Sequence, residues 1–364
     1  MSLAGRVLTR TVRATKLARK ELRRRLRFTQ RLKHHAKSAE KTLYFRLRDS
    51  NQGRVILKAV DFARAPREIQ QRRRIAAPYI ARIGRDLVDP AGGYGLVSPA
   101  SIPPDVMASC RRLFEIKKAT IEERVSGFET WSPETQAKFL SRKSSYLRYL
   151  LNDEDLRRNP ELVDFALADT TLGAATRYLG MVPYLSRVDL MYSLSRGVED
   201  NISSQLFHLD HEGLTQVKFF INIVDVGEPE GPFTFLPADA TSRVIADIRR
   251  LRRRQGSGDV ESRRYLDEEV TAAGAAGSVV TLAGPAGSGV AIDTSRCLHL
   301  GSRVQPGTFR LVLYLQYCST REITNLFDVA RVRHDPVKHL AVSHSSEPGR
   351  ALASTYAQEM MRGA

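Results

Sequence analysis

Nowhere in its 364 residues does the sequence hold an apolar run of about 18 or more, so no membrane-spanning helix is expected. Cysteine is scarce. Cys110, Cys297 and Cys318 are scattered and form no Cys-x-x-Cys, which speaks against a disulfide framework and a zinc knuckle and fits a reducing cytoplasm. The basic N-terminus lacks a continuous apolar core and does not read as a secretory signal; an Arg-rich organelle transit peptide is the less favoured reading. No aromatic interleaving and no RNA-binding motif accompany the basic residues, which counts against nucleic acid as a partner. The glycine-rich GPAGSG at 284–289 lacks the Lys-Ser/Thr of a phosphate loop and leads into a strand pattern, so a nucleotide site is rejected there.

What is present is ordinary globular composition, long enough for one large domain or two small ones. The net charge of +17 is uneven: residues 1–40 hold thirteen Lys or Arg against Glu21 and Glu40. In 3–40, Leu17, Leu22, Leu26 and Leu32 recur at roughly helical intervals, predicting a basic helix. Such an arm can lie on a membrane surface or bind nucleic acid. The plainer expectation is a solvated arm packed on its own domain or on a second subunit, so an oligomer stays open.

Along the chain, KTLYFRLR (41–48) and RVILKAV (54–60) read as short strands around the turn DSNQG, and 65–83 as a basic helix. The Gly/Pro-rich stretch 89–104 marks a boundary. Helical patterns follow at 105–124, at 133–150, and after Asn159-Pro160 as far as Gly180. From 183 the segments YLSRVDLMYSL, SSQLFHLD, TQVKFFINIVDV, PFTFLPA, GSVVTLA, GVAIDT and TFRLVLYLQYCS read as strands, interrupted by a charged helical insert at 241–275. Helices followed by many short strands predict an α+β fold with an antiparallel barrel or sandwich. The organisation expected is a mainly helical basic extension over 1–88, a main domain over 89–321, and a tail over 322–364.

QLFHLDHEG places His208 and Asp210 two apart, hence on one face of a strand, where an imidazole and a carboxylate can grip one ion. Two histidines and one carboxylate on one face of an octahedron leave three open positions, the arrangement of non-haem iron(II) oxygenases. Of eight histidines, His34 and His35 lie in the arm, His211 faces away from Asp210, and His334, His339 and His344 lie in the patternless tail. His299, after an apolar strand, is left as the third ligand. Alone, His-x-Asp is a weak signal. Arg310 adds to it. If the segments on either side of GSRVQPGT pair as a hairpin, Arg310 lies about 7–8 Å from His299. An inward Arg among Phe309, Leu311, Val312 and Leu313 needs an anionic partner, and its fork suits a carboxylate.

These segments together resemble the phytanoyl-CoA dioxygenase family of iron(II)/2-oxoglutarate-dependent oxygenases: FHLDHEG, then INIVDVGEPEGPFTFLPADATS, then GVAIDTSRCLHLGSR and FRLVLYLQY, over roughly 95–320. The resemblance implies a double-stranded β-helix flanked by helices. It implies iron(II) held by His208, Asp210 and His299, 2-oxoglutarate anchored by Arg310, and oxygen as co-reactant. The substrate would be hydroxylated or desaturated while 2-oxoglutarate is decarboxylated to succinate. An Asp at 210, where related halogenases have a small residue, argues against halogenation. The sequence departs from the family in having His299-Leu300-Gly301-Ser302 for the more usual His-Gly-Ser, which leaves the cosubstrate role of Ser302 in question. Glu230-Gly231 replaces Asn-Gly, and Lys218 is a rival carboxylate anchor ranked below Arg310.

Two other classes compete with an enzyme. One is a non-catalytic barrel that holds a metal or ligand; the other is a nucleic-acid or membrane-surface binder acting through the arm. The intact ligand set with Arg310 favours the enzyme. Its substrate is a small molecule. Arg249, Arg250, Arg252, Arg253 and Arg254 in the insert could recruit an anionic or carrier-linked one, although a solvated helix face is the plainer expectation.

Overall fold

The computed structural model describes residues 43–319, apart from 45, 83–86, 126–127, 199, 257–259 and 261. The expected arm at 3–40 and the tail at 322–364 lie outside the described residues. The described part opens with helix. Residues 46–48 are helical, and α1 (Asn51–Arg64) and α2 (Pro66–Arg82) follow. The strands expected at 41–48 and 54–60 are therefore not formed. Val55 and Ile56 suggested a strand, yet both lie exposed on α1. What buries is Arg54 and Leu57, three apart, which is helical spacing. The DSNQG turn is the helix start: Ser50 caps α1 by accepting from the Gly53 amide at 3.0 Å.

Next come β1 (Tyr94–Val97), α3 (Pro104–Val125) and α4 (Pro133–Leu140). The helix expected over 133–150 ends at 140. Leu147–Tyr149 instead forms β2, because pairing Leu147 with Ser193 and Tyr149 with Met191 extends a sheet edge. The helical stretch to Gly180 is three pieces: α5 (Asp153–Arg158), α6 (Pro160–Ala166) and α7 (Ala174–Leu179), with a π-turn before the last. The remaining strands are β3 (Tyr184–Leu194), β4 (Gln216–Asn222), β5 (Phe233–Phe235), β6 (Val280–Leu282), β7 (Gly289–Ile292), β8 (His299–Leu300) and β9 (Phe309–Cys318). The insert contributes α8 (Ala238–Arg254) and α9 (Asp267–Ala272).

The strands form two antiparallel sheets, β1-β7-β4-β9-β3-β2 and β6-β5-β8. This is the α+β double-stranded β-helix expected from the sequence. The two-residue alternation of β4 and β9 sorts their side chains. Val217, Phe219, Ile221, Leu311, Leu313 and Leu315 face outward and bury against α3 and α6 through residues such as Leu113 and Leu162. Phe220, Val312 and Tyr314 face inward, where they meet Phe233 and Phe235 of the small sheet. Lys218 and Arg310 share that inward parity. The outer side of the small sheet is covered by the insert, where Val244, Ile245 and Ile248 of α8 pack on Leu236, Leu298 and Leu300.

The N-terminal helices are fixed to the barrel by buried arginines that donate to main-chain carbonyls. Arg54 reaches Ser295 O at 2.9 Å and Arg72 reaches Val182 O at 2.7 Å. Arg48 reaches Asp210 O at 2.9 Å, His211 O at 3.2 Å, and Gly213 O. Among the described residues no helix is long and apolar enough to cross a membrane.

Leu313 is fully buried on the central strand β9, with the helices over it. Leu313→Ala is predicted to cost about 2–5 kcal/mol, read as a lower urea midpoint with unchanged slope. A midpoint equal to wild type would show that the helices do not bear on this face.

Candidate metal centre

His208 and His299 lie side by side because their backbones form a two-way bridge: His208 N donates to His299 O at 2.9 Å and His299 N to His208 O at 3.0 Å. The ring centroids are 4.3 Å apart. Asp210 lies beyond the bridge rather than within a strand, which corrects the expected strand geometry. It is held instead by its main chain, its amide donating to Thr294 O at 2.9 Å and its carbonyl accepting from Arg48. The outcome is the juxtaposition the spacing suggested. His208 Nε2 is 3.5 Å from Asp210 Oδ1, and His299 Nε2 is 3.3 Å from Asp210 Oδ2.

The donor set tells what belongs there. Nδ1 of His208 faces Leu206 O at 2.8 Å and Nδ1 of His299 faces Cys297 O at 3.0 Å. A carbonyl can be answered only by a donor, so each ring carries its proton on Nδ1 and turns the Nε2 lone pair towards Asp210. In that neutral tautomer two lone pairs and a carboxylate converge, a donor set that a metal cation fits. The three residues could hold one metal ion, their ligand atoms lying within 4.8 Å of one another. His211 is not among them; its Nδ1 faces Leu209 O at 3.3 Å.

Charge in the site is balanced by contact. Lys218 Nζ is 2.7 Å from Asp210 Oδ2 and 3.4 Å from Glu212 Oε2. Burial works against the Lys218 charge, but Asp210 and Glu212 outweigh it and hold its pKa well above the usual range. Burial also opposes ionisation of Asp210, and the Lys218 ammonium overcomes it, so the carboxyl titrates well below its ordinary value. The pKa of His208 is lowered to about 4, first by burial and then by the neighbouring His299.

The same pocket, about 470 Å³ to its open mouth, holds Arg310 and Ser302. Arg310 is 2% exposed. Its Nη1 donates to Gly231 O at 2.8 Å, and its Nε is buried without a partner. Burial alone pushes its pKa down to about 10. Among the described residues no carboxylate pairs with it. Gly301 makes room for it, and Gly231, whose carbonyl it binds, is itself confined to glycine. A Cβ at Gly301 would lie 3.2 Å from Arg310 Nη2, and a Cβ at Gly231, whose φ is +64°, would lie 2.4 Å from the Arg303 backbone. The Ser302 hydroxyl is 3.0 Å from that of Ser193, which pairs across the strands with Arg310. The hairpin expected between the segments of His299 and Arg310 is absent. β8 pairs with β5 and β9 with β3 and β4, so Arg310 enters the pocket from the opposite sheet.

Of the insert's Arg run, Arg249 binds Asp49 at 2.6 Å, Arg252 binds Glu269 at 2.5 Å, and Arg250 binds Asp247 at 2.8 Å; Arg253 and Arg254 are exposed. The sequence reading passed over Glu212 and Tyr314, both of which line the pocket. Glu212 lies in the quoted HLDHEG, and Tyr314 shares the parity of Arg310 and Val312, so both were open to a periodicity argument.

A comparison with protein-family models finds no match, and one with curated proteins finds none. Among solved structures the chain is similar to EctD from S. alaskensis with bound Fe, with 16% identity, a TM-score of 0.38, and 68% of this chain and 78% of that one covered. It is similar also to SnoK, a non-heme alpha-ketoglutarate-dependent carbocyclase from nogalamycin biosynthesis (14%, TM-score 0.38, 65% and 85% covered). A third is HygX from Streptomyces hygroscopicus with nickel and 2-oxoglutarate bound (14%, TM-score 0.39, 67% and 93% covered). Likeness this distant carries no argument about chemistry, which must come from the residues.

Because His208 takes a proton at about pH 4 when folded and at about 6.5 when unfolded, the unfolded chain is protonated first as pH falls. The contribution is fully present above about pH 6.5 and shrinks down to about pH 4. Metal-free wild type is predicted to lose thermal stability over that window more steeply than His208→Gln. Parallel profiles for the two chains would show that the folded protein does not hold this ring neutral.

Proposed function

We propose that this chain is an iron(II)- and 2-oxoglutarate-dependent oxygenase that hydroxylates or desaturates a small organic substrate. The observation that carries the reading is Arg310, a buried guanidinium without a carboxylate partner among the described residues, in one pocket with a His-Asp-His set that calls for a cation. A 2-oxo dicarboxylic acid answers both needs, its oxo-acid end at the metal and its far carboxylate at Arg310.

Iron(II), when bound, supplies oxygen activation coupled to decarboxylation of 2-oxoglutarate. In hydroxylation a substrate C–H becomes C–OH, dioxygen supplying one oxygen atom to the product and one to succinate, with carbon dioxide released. The chain's own residues do the rest. His208, Asp210 and His299 bind the metal. The carbonyls of Leu206 and Cys297 fix the two rings by accepting their Nδ1 protons. Lys218 keeps Asp210 ionised and oriented, and being committed to Asp210 and Glu212 it yields the anchoring role to Arg310. Ser302 offers a hydroxyl at the Arg310 end. Phe220, Phe233 and Met191 make the walls apolar and limit water. The Asp210 carboxylate fills the position a halide would need. We assign this chemistry to residues 89–321, with α1 and α2 as supports.

Anaerobic iron(II) with 2-oxoglutarate is expected to give a weak visible charge-transfer band that His208→Ala abolishes. An unchanged band in that variant removes the proposed ligand set. Arg310→Ala is expected to weaken 2-oxoglutarate binding by about tenfold or more while iron affinity holds; equal affinity for the cosubstrate would take Arg310 out of the scheme.

A further inference from the structure

The insert is joined to the segment that carries His208 by a contact that the ligand set does not explain. Phe207 and Tyr265 form an isolated antiparallel bridge, Phe207 N donating to Tyr265 O at 3.1 Å and Tyr265 N to Phe207 O at 3.0 Å. In that register the residue opposite His208 is Arg264, one strand away on the side not occupied by His299. Opposed residues of an antiparallel pair project to the same face with Cβ atoms about 4.5–5.5 Å apart. Arg264 is therefore directed to the face that carries the His208 ring.

Its electrostatics agree. Burial lowers the pKa of Arg264, while Asp210, Tyr146 and Glu212 raise it, and Arg264 in turn helps to lower that of His208. Yet its half-buried guanidinium makes no hydrogen bond or ion pair among the described residues. The nearby carboxylates are already taken, Asp210 and Glu212 by Lys218. The adjacent Arg263 is also engaged, with Asp49 at 2.9 Å. A second cation without a carboxylate lies on the pocket's own lining. Lys143 lines it, exposed, with Nζ 5.9 Å from the Tyr149 ring centroid and no carboxylate partner among the described residues.

We propose that Arg264, with Lys143, forms an oxyanion-recognising subsite at the mouth of the pocket, so that the substrate carries a carboxylate or a phosphate on the part that stays outside the metal centre. This rests on the oxygenase reading. Within it, Arg310 takes the cosubstrate's carboxylate and Arg264 takes the substrate's. A guanidinium and an ammonium suit either anion, and a neutral substrate would leave both without an answering charge.

The test uses the full chain, loaded anaerobically with iron(II) and saturating 2-oxoglutarate so that Arg310 is occupied. It is titrated calorimetrically with acetate in one arm and methyl phosphate in the other, with acetamide as the uncharged control. Wild type should bind at least one anion saturably and acetamide not at all; the tighter arm identifies the anion class. Arg264→Gln should bind that anion about tenfold more weakly, and Arg264→Lys should fall between the two. If Arg264→Gln does not fold, Lys143→Gln, on the pocket rim, serves for the same comparison and should also bind more weakly. Equal affinity in wild type and variant, or no saturable anion binding in wild type, overturns the proposal. The charge-transfer band is read in the same samples. No band in wild type defeats the oxygenase reading, whereas a band with no anion binding defeats this subsite alone.

Discussion

A charge taken out of water must be answered by another charge or by aligned dipoles, and the interior of this barrel is arranged by that requirement. The alternation along β4 and β9 sends leucines and phenylalanines to the helices and sends Lys218 and Arg310 into the cavity. Lys218 is answered at once by Asp210 and Glu212. Among the described residues Arg310 is answered only by a carbonyl. Beside Lys218, His208, Asp210 and His299 gather ligand atoms that could hold one metal ion. These two features in one pocket define the ligands more sharply than either alone.

Both sheets contribute to this arrangement. The small sheet, extended by the bridge of His208 to His299, carries the imidazoles; the large sheet carries Lys218, Tyr314 and Arg310. Facing sheets let a ligand span from one set to the other. The glycines at 231 and 301 are part of the same solution, since a side chain at Gly301 would crowd the guanidinium and one at Gly231 would meet the Arg303 backbone.

The grouping of the candidate site residues was legible because it is written in donor chemistry. His208, Asp210, His299 and Arg310 are residue types whose roles depend little on exact geometry, and all four share one pocket. The route to Arg310 was misjudged, because sequence proximity suggested a hairpin where the chain passes from one sheet to the other. The strands β3, β4 and β9 were legible from period and composition. The segment 54–60 was not: Val55 and Ile56 carry strand propensity, and the Ser50 cap with the burial of Leu57 overrides it. Arg48 and Arg264 were invisible for another reason. The carbonyl of Asp210 lies 162 residues from Arg48, and Arg264 meets the site only through the bridge between Phe207 and Tyr265. Such partnerships leave no local pattern.

The grip of Arg48 on the carbonyls of Asp210, His211 and Gly213 makes the ligand loop and the N-terminal helical segment one linked equilibrium. On the oxygenase reading proposed above, an ion that tightened the loop would also tighten the attachment of that segment, and by reciprocity the attachment would add the same free energy to ion affinity. A stretch of chain that supplies no ligand would thereby share in setting how firmly such an ion is held.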